Sequence, residues 1–145
     1  MSGKANSIVR IAPALRAAIL DAASRAYPNE CCGLLTGTLD EGGWHVEAVF
    51  GTANISDTPR RNFLVDPQAQ FDLMHALRGT AHRLIGCYHS HPDGGEEPSE
   101  TDRAQAYESN FLYLIAAGEP RGGFRLNAFR YGEEIRNFGK LTLTF

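Results

Sequence analysis

Apolar positions along the chain switch between runs that fit strands and stripes that fit helices. Ile8 to Ile11 reads as a short first strand. Pro13 suits the first turn of a helix. Beyond it Leu15, Ala18, Ile19, Ala22, Ala23 and Ala26 recur at helical spacing. That helix ends before Pro28, and its small alanines suit close packing on a sheet. Cys31 to Thr36 is a strand-length run expected to be buried. Residues 37–43 form a glycine-bounded turn, and Trp44 to Phe50 returns as a strand.

Residues 51–62 form a polar connector that leads to a short strand, Phe63 to Val65. Asp66-Pro67 starts a second helix, whose buried side is either Phe71, Met74 and Leu77 or Leu73 and Leu77. Gly79 ends it. Leu84 to Tyr88 is a strand that runs into His89. Glu100 to Tyr107 is expected as a short helix and Phe111 to Ala117 as a central strand. Residues 118–123 turn, and Phe124 to Tyr131 and Leu141 to Phe145 complete the strands. The elements are mixed without a regular βαβ repeat, so the expected class is α/β of the mixed α+β kind, in one domain over residues 1–145. Residues 1–6 are polar and expected to be flexible.

The stretch with the most chemistry is His89-Ser90-His91-Pro92, followed by a Gly- and Pro-rich loop and then Ser99-Glu100-Thr101-Asp102. In a strand, His89 and His91 share a face, and Ser90 points the other way. Pro92 stops the strand. Asp102, brought back by the loop, would complete a site of two histidines and one carboxylate. Three protein ligands and one open position define a catalytic zinc site, whereas structural zinc takes four. The same Ser99 to Asp102 segment also reads as an N-cap with an acid three residues on. Imidazole favours zinc over magnesium or calcium; iron accepts the same ligand set.

His89, Ser90, His91 and Pro92, then Ser99 and Asp102 at their spacing, resemble without a gap the JAMM motif of the MPN (Mov34/Jab1) metalloproteases. The resemblance extends to Pro28–Gly37, Asn54 and Phe63–Asp66. It implies an MPN-like domain with a central mixed sheet flanked by helices, in a topology related to that of cytidine deaminases. It implies one zinc ion held by His89, His91 and Asp102. It also implies catalytic roles for Glu30, as the general base, and for Ser99, as the donor to the developing oxyanion. Residue patterns alone would not choose Glu30 over Glu41, Glu47, Glu96, Glu97 or Glu100. The family cuts peptide or isopeptide bonds after the Gly-Gly tail of ubiquitin-like proteins. A chain of this length resembles the stand-alone prokaryotic members, some of which trim sulfur-carrier proteins. The implied partner is therefore a ubiquitin-like or sulfur-carrier protein.

Composition changes this picture little. The 145 residues suffice for a stable core. A net charge of −3 gives no general attraction to nucleic acid or anionic membranes. The three cysteines form no metal-binding spacing. Cys31, Cys32 and Cys87 are read as small core residues, and their odd count suits a reducing compartment. With no signal-peptide pattern, the expected location is cytoplasmic. His45, His75 and His82 lack partners at ligand spacing, and Arg60-Arg61 reads as solvated loop. Three rival readings are a non-catalytic MPN scaffold, a RadC-like nucleic-acid-associated protein and an iron oxygenase. Cys-x-x-Cys, which a deaminase needs, is absent, and no basic stripe suggests nucleic acid.

Overall fold

The computed structural model describes residues 7–106, 110–132 and 135–145. The elements follow in the order β1 (Ile8–Ile11), α1 (Pro13–Ala26), β2 (Cys32–Asp40), β3 (Gly43–Thr52), α2 (Pro67–Ala76), β4 (Arg83–His91), α3 (Glu100–Gln105), β5 (Leu112–Glu119), β6 (Gly123–Gly132) and β7 (Asn137–Thr144). The class is mixed α+β, as expected. The sheet does not lie open between helices; it closes as a barrel in the order β1-β3-β2-β4-β5-β6-β7. Closure depends on β1, which pairs in parallel with both β3 and β7.

The strand alternation sorts the sheet into two faces. Tyr88 and Ser90 of β4 lie opposite Leu114 and Ala116 of β5. Tyr88, Leu114 and Ala116 join Leu35, Trp44, Leu126 and Ala128 in one core cluster that also takes Ile19 and Ala23 of α1. Pro13 occupies the start of α1, and the two buried residues Ile19 and Ala23 lie one turn apart. Cys87, His89 and His91 alternate onto the other face, opposite Tyr113, Ile115 and Ala117. Close strand approach is set by Gly86: a Cβ there would stand 2.1 Å from the Leu112 carbonyl oxygen.

Two expectations are corrected, and the structure chooses between two alternatives for a third element. Phe63 to Val65 is not a strand; Val65 makes an isolated bridge with Asn54. On α2, Phe71 and Met74 are 60% and 52% exposed. Leu73 and Leu77 are half-buried instead, so the second of the two stripes faces inward. The third helix stops at Gln105, and Tyr107 lies outside the described residues, as do residues 1–6. No helix among the described residues is long and apolar enough to cross a membrane.

Candidate metal centre

β4 delivers His89 and His91 side by side at its last turn of pleat, both buried. Asp102 arrives from the first turn of α3. Its carboxylate accepts the Ser99 N–H at 2.8 Å while Ser99 Oγ accepts the Asp102 N–H at 3.0 Å, a complete capping box. The two readings of this segment are thus one: the cap is what fixes Asp102 in place. Asp102 Oδ2 lies 3.1 Å from His89 Nε2 and 3.1 Å from His91 Nε2, and the two Nε2 atoms are 3.1 Å apart.

That triangle fits a metal. A tetrahedral zinc with bonds of about 2.0–2.1 Å separates its ligand atoms by about 3.3 Å. The tautomer of His91 fits as well. His91 Nδ1 donates to the Gly95 carbonyl oxygen at 2.8 Å, which leaves the Nε2 lone pair facing the cluster. Phe63 stacks on the His89 ring at 4.2 Å and 16° and holds its plane.

Electrostatics follow from burial and from this cluster. Without a metal, Nε2 protons of the histidines take the ion's place: burial opposes ionisation of Asp102, but the hydrogen bonds His89 and His91 then donate prevail and hold its carboxyl well below the usual range. Burial pushes the His89 pKa down. Burial also opposes charge on His91, yet its bonds to Asp102 and Gly95 raise its pKa.

Glu30 lies just ahead of β2 and is 5% exposed. Its position beside the histidines comes from antiparallel pairing of β2 with β4, in which Cys32 lies opposite His89. Ser90, which points away from the cluster, accepts the Cys31 N–H at 2.7 Å and reinforces that junction. Glu30 Oε1 is buried without a hydrogen-bond partner among the described residues, an arrangement that calls for a water or ligand. Burial raises its pKa from 4.5 to about 8, with His91 pulling it down and Asp102 and Asp93 pushing it up.

Glu30, His91 and Ser99 line one polar cleft together with Asp93, Gly95 and Arg61. Arg61 is exposed, as expected of a solvated loop, but its place at this cleft was not foreseen. An apolar cavity of about 270 Å³ lies on the other side of the cluster, bounded by His89, Asp102, Leu34, Phe63, Cys87 and Phe138. Cys31 and Cys32 are buried free thiols, with pKa values raised by burial, and Cys87 is buried in the sheet. His45 pairs with Asp40 and His82 lies 3.9 Å from Glu47, both away from the cluster. Of the residues expected at the site, the structure brings His89, His91 and Asp102 into contact and sets Glu30 and Ser99 on the cleft beside them. The resemblance takes in Phe63 and Asn54 but implies no role for either, and no residue pattern singles them out.

Fold and cluster together define a mixed α+β protein with a two-histidine, one-carboxylate centre suited to a metal ion. Residues 12–130 match the family described as prokaryotic homologs of the JAB domain, and the chain belongs to that family. It is 34% identical over 110 residues to a desampylase of Haloferax volcanii, covering 75% of each chain. It is also 34% identical over 82 residues to a probable TtuB-protein conjugate cleaving protease of Thermus thermophilus, covering 57% of this chain and 52% of that one. A solution structure of a Desulfitobacterium hafniense protein superposes with a TM-score of 0.79 at 26% identity, covering 94% of this chain and 91% of that one.

Proposed function

We propose that the protein is a zinc-dependent hydrolase that cleaves a peptide or isopeptide bond after the Gly-Gly tail of a ubiquitin-like or sulfur-carrier protein. The observation that carries the reading is the set of three ligand atoms at mutual distances of 3.1 Å beside a buried, unpartnered carboxyl group. The family and the names of two relatives, a desampylase and a conjugate-cleaving protease, support the substrate class.

His89, His91 and Asp102 would hold the ion. When bound, zinc supplies Lewis acidity for the scissile carbonyl and for a water molecule. Glu30 takes the proton from the attacking water and gives it to the leaving amine. Its raised pKa suits a group that must both accept and release a proton near neutral pH. Ser99 uses its lone pair on the Asp102 N–H, so its own hydroxyl proton stays available to the developing oxyanion. A glycine pair has no side chains, so an extended tail can enter the cleft between the connector and the Asp93–Ser99 loop.

Incubation of the zinc-loaded protein with a ubiquitin-like protein extended beyond its Gly-Gly end, or joined through it to a lysine, tests the reading. Mass spectrometry should show a product ending in Gly-Gly, and none after chelation. An intact substrate in the presence of stoichiometric zinc would refute it.

Ser99→Ala separates the two roles of that residue. Loss of the cap should cost about 1 kcal/mol of stability. Loss of an oxyanion donor should lower kcat about 100-fold with little change in KM. Steady-state kinetics beside a thermal melt reads both. A lower Tm with an unchanged kcat would leave Ser99 a cap alone.

A further inference from the structure

We propose that Asn54 is a positioning residue for Glu30: its carboxamide clamps the connector between β3 and α2 onto the backbone of the base. The proposal rests on the reading of Glu30 as general base. Glu30 precedes β2 and has no place in its ladder, so its backbone needs other partners. The connector supplies both. The Glu30 N–H donates to the Pro59 carbonyl oxygen at 2.7 Å, and its own carbonyl accepts from Asn54 Nδ2 at 3.0 Å.

Asn54 binds the connector to itself at the same time. Nδ2 also donates to the Asn62 carbonyl at 3.0 Å. Oδ1 accepts the Ser56 N–H at 3.1 Å and the Leu64 N–H at 3.0 Å. Two carbonyls on one side and two N–H groups on the other fix which way the amide faces. All four hydrogen bonds an Asn amide can make are formed. The segment so gathered ends in the bridge of Asn54 with Val65 and carries Phe63, which stacks on His89.

One side chain therefore sets the backbone of the base and the loop that holds a cluster histidine. The tip of Glu30 has an unpartnered buried oxygen, so the position of the carboxyl depends on its backbone. A shift of about 1 Å at such a group can cost about 100-fold in rate. A surface Asn that merely shaped a turn would need only its local bonds to Ser56 and Leu64; the bond to Glu30 crosses 24 residues of chain.

Asn54→Asp is the decisive variant, because it keeps the acceptor oxygen and replaces the two donated bonds with an oxygen facing two carbonyls. Expected are stoichiometric zinc, a kcat about 100-fold lower per zinc-loaded molecule with KM within about threefold, and exchange of the Glu30 amide faster by about tenfold. Ser56→Ala is the control: it removes the bond from the Thr58 N–H to Ser56 Oγ without touching Glu30. It should leave kcat and Glu30 exchange as in the wild type. Should Asn54→Asp not fold, Asn54→Ser, which leaves room for a water in place of the amide, is read in the same way.

An Asn54 variant with wild-type kcat per zinc-loaded molecule, or with full protection of the Glu30 amide, would overturn the proposal. So would Ser56→Ala lowering kcat as far as Asn54→Asp does. The exchange measurement needs no substrate, so it reads the clamp independently of the reaction. Faster exchange alongside a fully active Glu30→Gln would instead overturn the assignment of Glu30 as base.

Discussion

Glu30→Gln should keep zinc at wild-type stoichiometry and lower kcat by at least about 10³-fold, within the range of lost acid–base catalysis. The amide is isosteric and fills the same buried space, but it cannot take a proton from water. The same substitution should stabilise the metal-free protein at alkaline pH. The pKa of Glu30 in the fold, about 8, lies above its ordinary 4.5. A group shifted in this direction contributes its stability at pH below about 4.5 and loses it as pH rises through about 8. The wild type therefore weakens across that window, while Gln at position 30 does not titrate. At pH 8.5 the variant should be more stable by about 2 kcal/mol or more, and near pH 4.5 the two should converge. Chemical denaturation of the metal-free proteins at the two pH values measures this. A bound cation favours the ionised carboxylate, so the rising limb of the holoenzyme's pH–rate profile should fall below pH 8. Full activity in Glu30→Gln would remove Glu30 from the role of base. A larger stability gap at pH 4.5 than at 8.5 would refute the account of its burial.

The site was legible where its logic is local. Strand alternation places His89 and His91 together, and the capping box that brings in Asp102 spans only four residues, Ser99 to Asp102. Glu30 was not legible from residue patterns, because what sets it by His89 is a β2–β4 register between positions far apart in the chain. The resemblance supplied it, and the fold gives the reason. Asn54 shows the same limit more sharply: its four bonds reach backbone groups of Glu30, Ser56, Asn62 and Leu64, and no periodicity encodes such a hub. The closed barrel escaped for a related reason, since β1 is only four residues long and joins β3 to β7 by parallel pairing across nearly the whole chain. On α2 the sequence offered two stripes of similar apolarity. With no residue of that helix fully buried, tertiary packing chose between them.

Asp102 carries two duties that two substitutions can pull apart. Its Oδ2 accepts the Ser99 N–H and faces both Nε2 atoms. Asp102→Ala removes the cap and the ligand together; in the metal-free state at neutral pH it should lose more than the roughly 1 kcal/mol of a cap, because the charge facing His89 and His91 goes too, and it should lose stoichiometric zinc as well. Asp102→Asn leaves an amide oxygen to cap α3 but no negative charge to offset a divalent cation. The metal-free Asn variant keeps the cap but loses the charge that faces His89 and His91, so at neutral pH it should melt below the wild type, while its zinc affinity falls by more than the roughly 10–100-fold typical of losing an outer-sphere partner. Metal analysis after dialysis against a graded chelator, beside thermal melts of the metal-free proteins, reads the two effects separately. The comparison also bears on the scaffold alternative: a scaffold with a capped helix needs the Asp102–Ser99 bonds and has no use for zinc. Wild-type zinc affinity in both variants would take Asp102 out of the ligand set and leave its carboxylate a helix cap.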